Sequence, residues 1–160
     1  MNLRLENKTA LVTGSTKGIG FAIARLLAVE GANVIVNGRN ADSARAAAEK
    51  IGARARGVAA DVSTAAGCKA LLRQVPSVDI LVNNAGIFEP KPFAEIPDAD
   101  WERFYQVNVM SGVRLTRAYL PGLLQRNWGA RHLYVIREWR ADSRGDDSLR
   151  HDQGGGTRAR

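Results

Sequence analysis

The stretch Lys8-Thr9-Ala10-Leu11-Val12-Thr13-Gly14-Ser15-Thr16-Lys17-Gly18-Ile19-Gly20 constrains this chain more than any other. It starts as the short apolar run of a buried strand and breaks into a turn holding three glycines. It then resumes as Phe21-Ala22-Ile23-Ala24-Arg25-Leu26-Leu27, which has a helical period. Strand, glycine turn and helix together aim free backbone N–H groups and a helix N-terminus at an anion. Gly14 supplies backbone angles closed to other residues, Gly18 lets a pyrophosphate approach, and Gly20 lets the helix lie close to the strand. The spacing is Gly14-x-x-x-Gly18-x-Gly20 rather than the commonest dinucleotide fingerprint. Taken alone it is equally an ordinary strand-to-helix connection, so its weight depends on the rest of the chain.

Downstream of the turn, strand and helix patterns alternate. Residues 19–30 read as a helix stopped by Gly31, residues 33–36 as a second strand, and residues 41–51 as a second helix stopped by Gly52. Residues 57–60 are a weaker third strand. Ser63 or Thr64 is placed to cap a short helix through Leu72, and residues 79–82 are a fourth strand. A loop with Pro90, Pro92 and Pro97 leads to a long helix over about residues 100–125, in which Pro121 is expected to kink the helix or begin a new last turn. The aromatics of that helix, Trp101, Phe104, Tyr105 and Tyr119, fit a core or a subunit contact better than a cofactor site. Residues 131–136 can make a fifth strand. This order implies an α/β protein: a doubly wound parallel sheet with right-handed crossovers, incomplete after four to five strands. Its domain spans residues 1–136. Residues 137–160 lack any period and read as a disordered tail ending in Gly154-Gly155-Gly156.

Bulk properties narrow the function classes. A chain of 160 residues holds one core, and no apolar run is long enough to span a bilayer. The N-terminus has no apolar signal region, and Cys68 is the only cysteine, which excludes an internal disulfide and favours a cytoplasmic setting. The net charge of +7 is scattered, without a basic stripe interleaved with aromatics. Nucleic acid is therefore a poor fit, and an anionic cofactor a better one.

Four pieces together resemble the short-chain dehydrogenases/reductases. Thr13 to Gly20 is similar to that family's TGxxxGIG turn, and Asn83-Asn84-Ala85-Gly86 after the fourth strand is similar to its NNAG motif. Asp61-Val62 sits where the family's adenine-contacting Asp follows the third strand, and Asn108 matches the Asn of its Asn-Ser-Tyr-Lys catalytic set. The resemblance covers roughly residues 5–130. It implies a Rossmann fold and a nicotinamide cofactor held by Gly14, Ser15, Thr16, Lys17, Gly18, Ile19, Gly20, Asp61, Val62, Asn83, Ala85 and Gly86, with Asn108 in the catalytic set. Alignment to the family puts Gly38 where NAD-preferring members carry an acid, with Arg39 next to it. A guanidinium there suits a 2′-phosphate, and Lys17 adds a second positive charge, so NADP is expected over NAD.

The family's chemistry also needs YxxxK and an upstream serine. The residues four beyond Tyr105, Tyr119 and Tyr134 are Val109, Leu123 and Glu138, and neither Ser143 nor Ser148 matches a family motif. As written, the chain is expected to bind NADPH weakly at most and not to turn over a carbonyl or secondary alcohol, the small-molecule substrates the resemblance implies. The family's homo-oligomer is likewise unsupported without the helix that follows its catalytic tyrosine. Reading the possible codons of residues 130–160 one base later permits Arg-Val-Ile-Phe-Met-Ser-Ser-Glu-Ser-Gly and, further on, His-Tyr-Gly-Met-Thr-Lys. A one-base frameshift near Trp128-Gly129-Ala130 accounts for the missing residues; otherwise the chain is an inactive dinucleotide-binding fragment or an unstable product.

Overall fold

The computed structural model describes residues 3–126; the expected fifth strand and tail lie outside the described residues. Four strands, β1 (Thr9–Val12), β2 (Asn33–Gly38), β3 (Ala55–Ala59) and β4 (Ile80–Val82), form one sheet in the order β3-β2-β1-β4, and every pairing is parallel. The register runs Leu11 opposite Ile35 on one side and opposite Leu81 on the other. β1 is therefore central, and Ala10, Leu11 and Val12 are fully buried, as a strand covered on both faces requires.

Alternation of side chains divides the core into two layers. Leu11, Ile35, Val58 and Leu81 face α3 (Ala65–Gln74) and α5 (Ser111–Arg126), meeting Cys68, Leu71, Leu115, Tyr119 and Leu123. Ala10, Val12, Val34, Val36, Ile80 and Val82 face the other way. They meet Ala24 and Ala28 of α1 (Gly18–Val29) and Ala47 and Ala48 of α2 (Ala41–Ile51). The small residues on α1 and α2 let those helices lie close to the sheet. Asn40 and Thr64 cap α2 and α3, accepting from Ser43 N and Gly67 N.

The chain runs outward from β1 through β2 to β3, then returns to the other side of β1 for β4. That reversal between β1 and β4 is where parallel α/β sheets bind ligands, at the carboxyl ends of the strands.

The long helix differs from its sequence expectation in two ways. It starts at α4 (Asp98–Tyr105), two residues early, since Pro97 supplies its N-cap. It passes through a π turn (Gln106–Met110) before α5. Of the two outcomes expected at Pro121, the new start does not occur: α5 runs through Pro121 to Arg126. Trp101 and Tyr105 are more than half exposed, so of the four aromatics along this helix Tyr119 alone is core. The buried stripe of α5 is Ser111, Leu115, Tyr119 and Leu123, spaced by four.

Tyr119 donates its hydroxyl proton to the Val75 carbonyl at 2.7 Å. Burial pushes this phenol up to about 12, helped by nearby Cys68, whose thiol burial also raises. Both groups favour their neutral forms in the fold. The Tyr119 contribution is thus complete below the ordinary phenol range and is lost as pH rises through about 12, and the raised Cys68 thiol acts in the same direction. Urea titrations from pH 8 to 12 are expected to show falling stability, with a shallower fall above pH 10 in Tyr119→Phe.

Candidate active site at the β1–β4 crevice

The glycine turn is built from the inside out by Thr13 and Ser15, both fully buried. Ser15 Oγ donates to Val12 O at 2.6 Å and accepts from Asn37 N at 3.1 Å, while Ser15 N donates to Asn37 O at 2.9 Å. Asn37 is buried as well, and its Nδ2 donates to the carbonyls of Val58 and Ala60. The turn is thereby locked to the end of β2, and β2 to β3.

On the β4 side, Thr13 N donates to Val82 O, and Thr13 Oγ1 accepts from Asn84 N at 3.0 Å and Ala85 N at 2.9 Å. Asn84 Nδ2 returns two bonds, to Thr13 O and Gly14 O. Glycine is required at two places in this contact. Gly14 has φ +61°, and a Cβ on it would meet Ala85 Cα at 3.0 Å; a Cβ on Gly20 would meet Asn84 Nδ2 at 2.3 Å. Gly20 therefore admits Asn84 and the turn itself, beyond the helix–strand approach expected of it.

Gly18, also left-handed at φ +60°, has nothing within 4 Å of a Cβ position. It is exposed at the first turn of α1, beside exposed Lys17 and Ile19. Unlike α2 and α3, α1 has no side-chain cap, and it has no acid in its first turn. The N–H groups that a helix start leaves unpaired thus open onto space at the crevice, next to a lysine. This arrangement fits a pyrophosphate.

The other expected residues surround it. Arg39 is exposed after β2, and neither it nor Lys17 makes a side-chain hydrogen bond or ion pair among the described residues. Asp61 follows β3; its Oδ1 accepts from Ser63 N and Ser63 Oγ, which fixes the carboxylate at the sheet edge, and Val62 is buried beneath. Asn83 is buried, its Nδ2 donating to Thr116 Oγ1 at 3.1 Å, while its Oδ1 has no partner among the described residues.

Asn108 lies in the π turn, a helical irregularity common at functional sites. Its amide closes a two-bond clamp on the Ile87 backbone, accepting from Ile87 N at 2.8 Å and donating to Ile87 O at 3.0 Å. A Cβ on Gly86 would stand 3.3 Å from Asn108 Oδ1. Asn108 thus fixes the segment leaving Asn83-Asn84-Ala85-Gly86. Beyond it, Lys91 and Arg103 pair with Glu89 and Asp100, tying this loop to α4. Replacing Asn108 with Asp should exchange the donating arm for a carboxylate oxygen against Ile87 O. Amide exchange at Ile87 is expected to accelerate by about tenfold, measured by NMR.

Sequence reasoning underrated Thr13, Asn84 and Gly67. The first two lie inside quoted motifs, but their roles depend on partners about 70 residues away. Gly67 belongs to no motif.

A family model described as short chain dehydrogenase matches residues 8–130. The chain is 49% identical to an uncharacterized oxidoreductase, YvaG, of Bacillus subtilis (strain 168), covering 86% of this chain and 54% of that protein. It is 44% identical to a D-beta-hydroxybutyrate dehydrogenase of Cupriavidus necator, over 78% of this chain and 51% of that one. Among solved structures, L-sorbose reductase from Gluconobacter frateurii, complexed with NADPH and L-sorbose, superimposes with a TM-score of 0.74 at 39% identity, over 79% of this chain and 51% of that one. The chain spans about half the length of the relatives it matches. With the glycine turn, the Asn83–Gly86 run and the β1–β4 crevice in family order, the chain belongs to the short-chain dehydrogenase family.

Proposed function

We propose that these residues are the nucleotide-binding half of an NADP-preferring short-chain oxidoreductase acting on a carbonyl or secondary alcohol. The observation that carries the cofactor preference is the pair Lys17 and Arg39, both exposed and without side-chain partners among the described residues, flanking an uncapped helix start with no acid at Gly38. Gly14, Gly18, Ile19 and Gly20 would hold the pyrophosphate through backbone groups, Thr16, Lys17 and Arg39 the 2′-phosphate side. Asp61 and Val62 would border the adenine, and Asn83, Ala85 and Gly86 the nicotinamide side. Ser15 acts through the backbone it holds. When bound, the cofactor supplies or accepts hydride; this chain's part is to position it, with Asn108 fixing the Ile87 segment at the reacting end. The NADPH complex of the L-sorbose reductase supports the cofactor choice. A cytoplasmic setting and the lack of a nucleic-acid partner belong to the same reading, supported by the lone, buried Cys68 and the scattered charge.

The 160 residues contain no YxxxK, so turnover is expected to be absent in the chain as written. The one-base frameshift near residues 128–130 is the reading favoured by the ordered serine, tyrosine and lysine of the shifted frame; the DNA across codons 125–135 decides it.

Because the adenine end is built entirely from described residues, 2′,5′-ADP and ADP are the probes of choice. The chain is expected to bind 2′,5′-ADP about tenfold more tightly than ADP by calorimetry, and Lys17→Ala with Arg39→Ala to abolish the difference. Equal affinities for the two ligands in the unmodified chain would falsify the NADP preference.

A further inference from the structure

Gly38 closes β2 at the corner where a dinucleotide's adenosine ribose is read, about 20 residues after the glycine turn. A Cβ at Gly38 would stand 2.5 Å from the Thr16 methyl, with Thr16 Cβ at 3.7 Å and Oγ1 at 3.8 Å. Thr16 cannot move away as a whole. Ser15 beside it is held by Asn37 on both its N–H and its hydroxyl, which pins the turn to the strand that carries Gly38. The tight contacts of Gly57 and Gly67 press on backbone, but that of Gly38 presses on a single methyl, so a substitution can release it.

We propose that Thr16 is a specificity-determining residue. Its methyl fills the place a side chain at position 38 would enter, which keeps a ribose-binding carboxylate out of the corner and leaves it open to a 2′-phosphate between Lys17 and Arg39. The ligand side of this proposal rests on the NADP preference proposed for the site, whereas the steric side rests on the Thr16–Gly38 contact alone. Thr16 thus couples the phosphate-binding turn to the ribose-reading corner: a carboxylate introduced at 38 requires Thr16 to turn its hydrogen inward or to lose its methyl.

The test is a cycle of Thr16→Ala, Gly38→Asp and the double variant in the full 160-residue chain, titrated calorimetrically with 2′,5′-ADP and ADP and melted without ligand. Thr16→Ala alone should weaken 2′,5′-ADP through the contact it loses, without gaining ADP. Gly38→Asp should lower Tm and lose 2′,5′-ADP without gaining ADP. The double variant should recover Tm and bind ADP about tenfold more tightly than Gly38→Asp alone. Should Gly38→Asp not fold, Gly38→Ala, which adds only the methyl, replaces it in the melting cycle. Additive Tm changes, or a Gly38→Asp chain that binds ADP as well as the double variant, overturn the proposal, as does a recovered Tm with no gain in ADP affinity. If the unmodified chain does not distinguish the two ligands, the NADP reading fails, and the melting cycle still decides whether Thr16 blocks position 38.

Discussion

Replacing Gly67 with alanine is expected to cost about 3 kcal/mol or more, lowering Tm by roughly 6–12 °C. The methyl would be placed 1.8 Å from Asp61 O and 2.6 Å from Asp61 C, both main-chain atoms that cannot rotate aside. Asp61 O already accepts from Thr64 N and Thr64 Oγ1, and Thr64 Oγ1 in turn accepts from Gly67 N at 2.9 Å. The first turn of α3 must therefore lift away from β3 or give up its cap. Either movement carries Asp61 with it, so the loss of stability should be accompanied by weaker binding of any adenine nucleotide. Ala66→Gly is the control. That neighbouring position is exposed, and glycine there should cost only the helix penalty of about 1 kcal/mol. Urea unfolding of the two variants separates the outcomes, and comparable losses would show that the Asp61 contact relaxes.

Thr13→Val should have the second large effect, about 2 kcal/mol, with nearly unchanged shape. One hydroxyl oxygen accepts from both Asn84 N and Ala85 N. Asn84 N has a second acceptor in Val82 O at 3.0 Å, but Ala85 N has no other partner among the described residues. Valine leaves that N–H facing a methyl and loosens the very segment against which Gly14 packs. Thr13→Ser keeps the oxygen and should lose only the burial of one methyl group, about 0.8 kcal/mol. A serine variant as unstable as the valine one would mean that packing rather than hydrogen bonding holds the crevice. Nucleotide affinity, measured alongside, is expected to follow the same order.

Local signals carried most of the fold. The second helix lies at residues 41–51 as its glycine stop implied, and Thr64 rather than Ser63 is the cap of α3. Where the strands run differently, tertiary bonding is the reason. β2 extends beyond the expected residues 33–36 through Asn37 and Gly38, because the Asn37 amide is satisfied by the carbonyls of Val58 and Ala60. β3 begins at Ala55, where exposed Arg56 hides the alternation of an edge strand among the described residues. The glycine turn and the Asn83–Gly86 run were visible in the sequence. That Asn84 and Gly20 occupy one another's space was not, since no local pattern encodes a contact spanning 64 positions. Gly67 was equally silent: a glycine inside a helical run carries no mark of the carbonyl it must clear.

The π turn at Gln106–Met110 has a consequence for helical phase. A π turn takes up about one residue more than an α turn, so it offsets the angular position of everything after it by about 100°. Ser111, Leu115, Tyr119 and Leu123 point into the core only with that offset included. Straightening this segment into a regular helix at unchanged length would rotate the whole stripe by that offset, out of the sheet's surface, while releasing Ile87 from Asn108. The π turn thus sets the rotational registry of α5 and the anchoring of the crevice together.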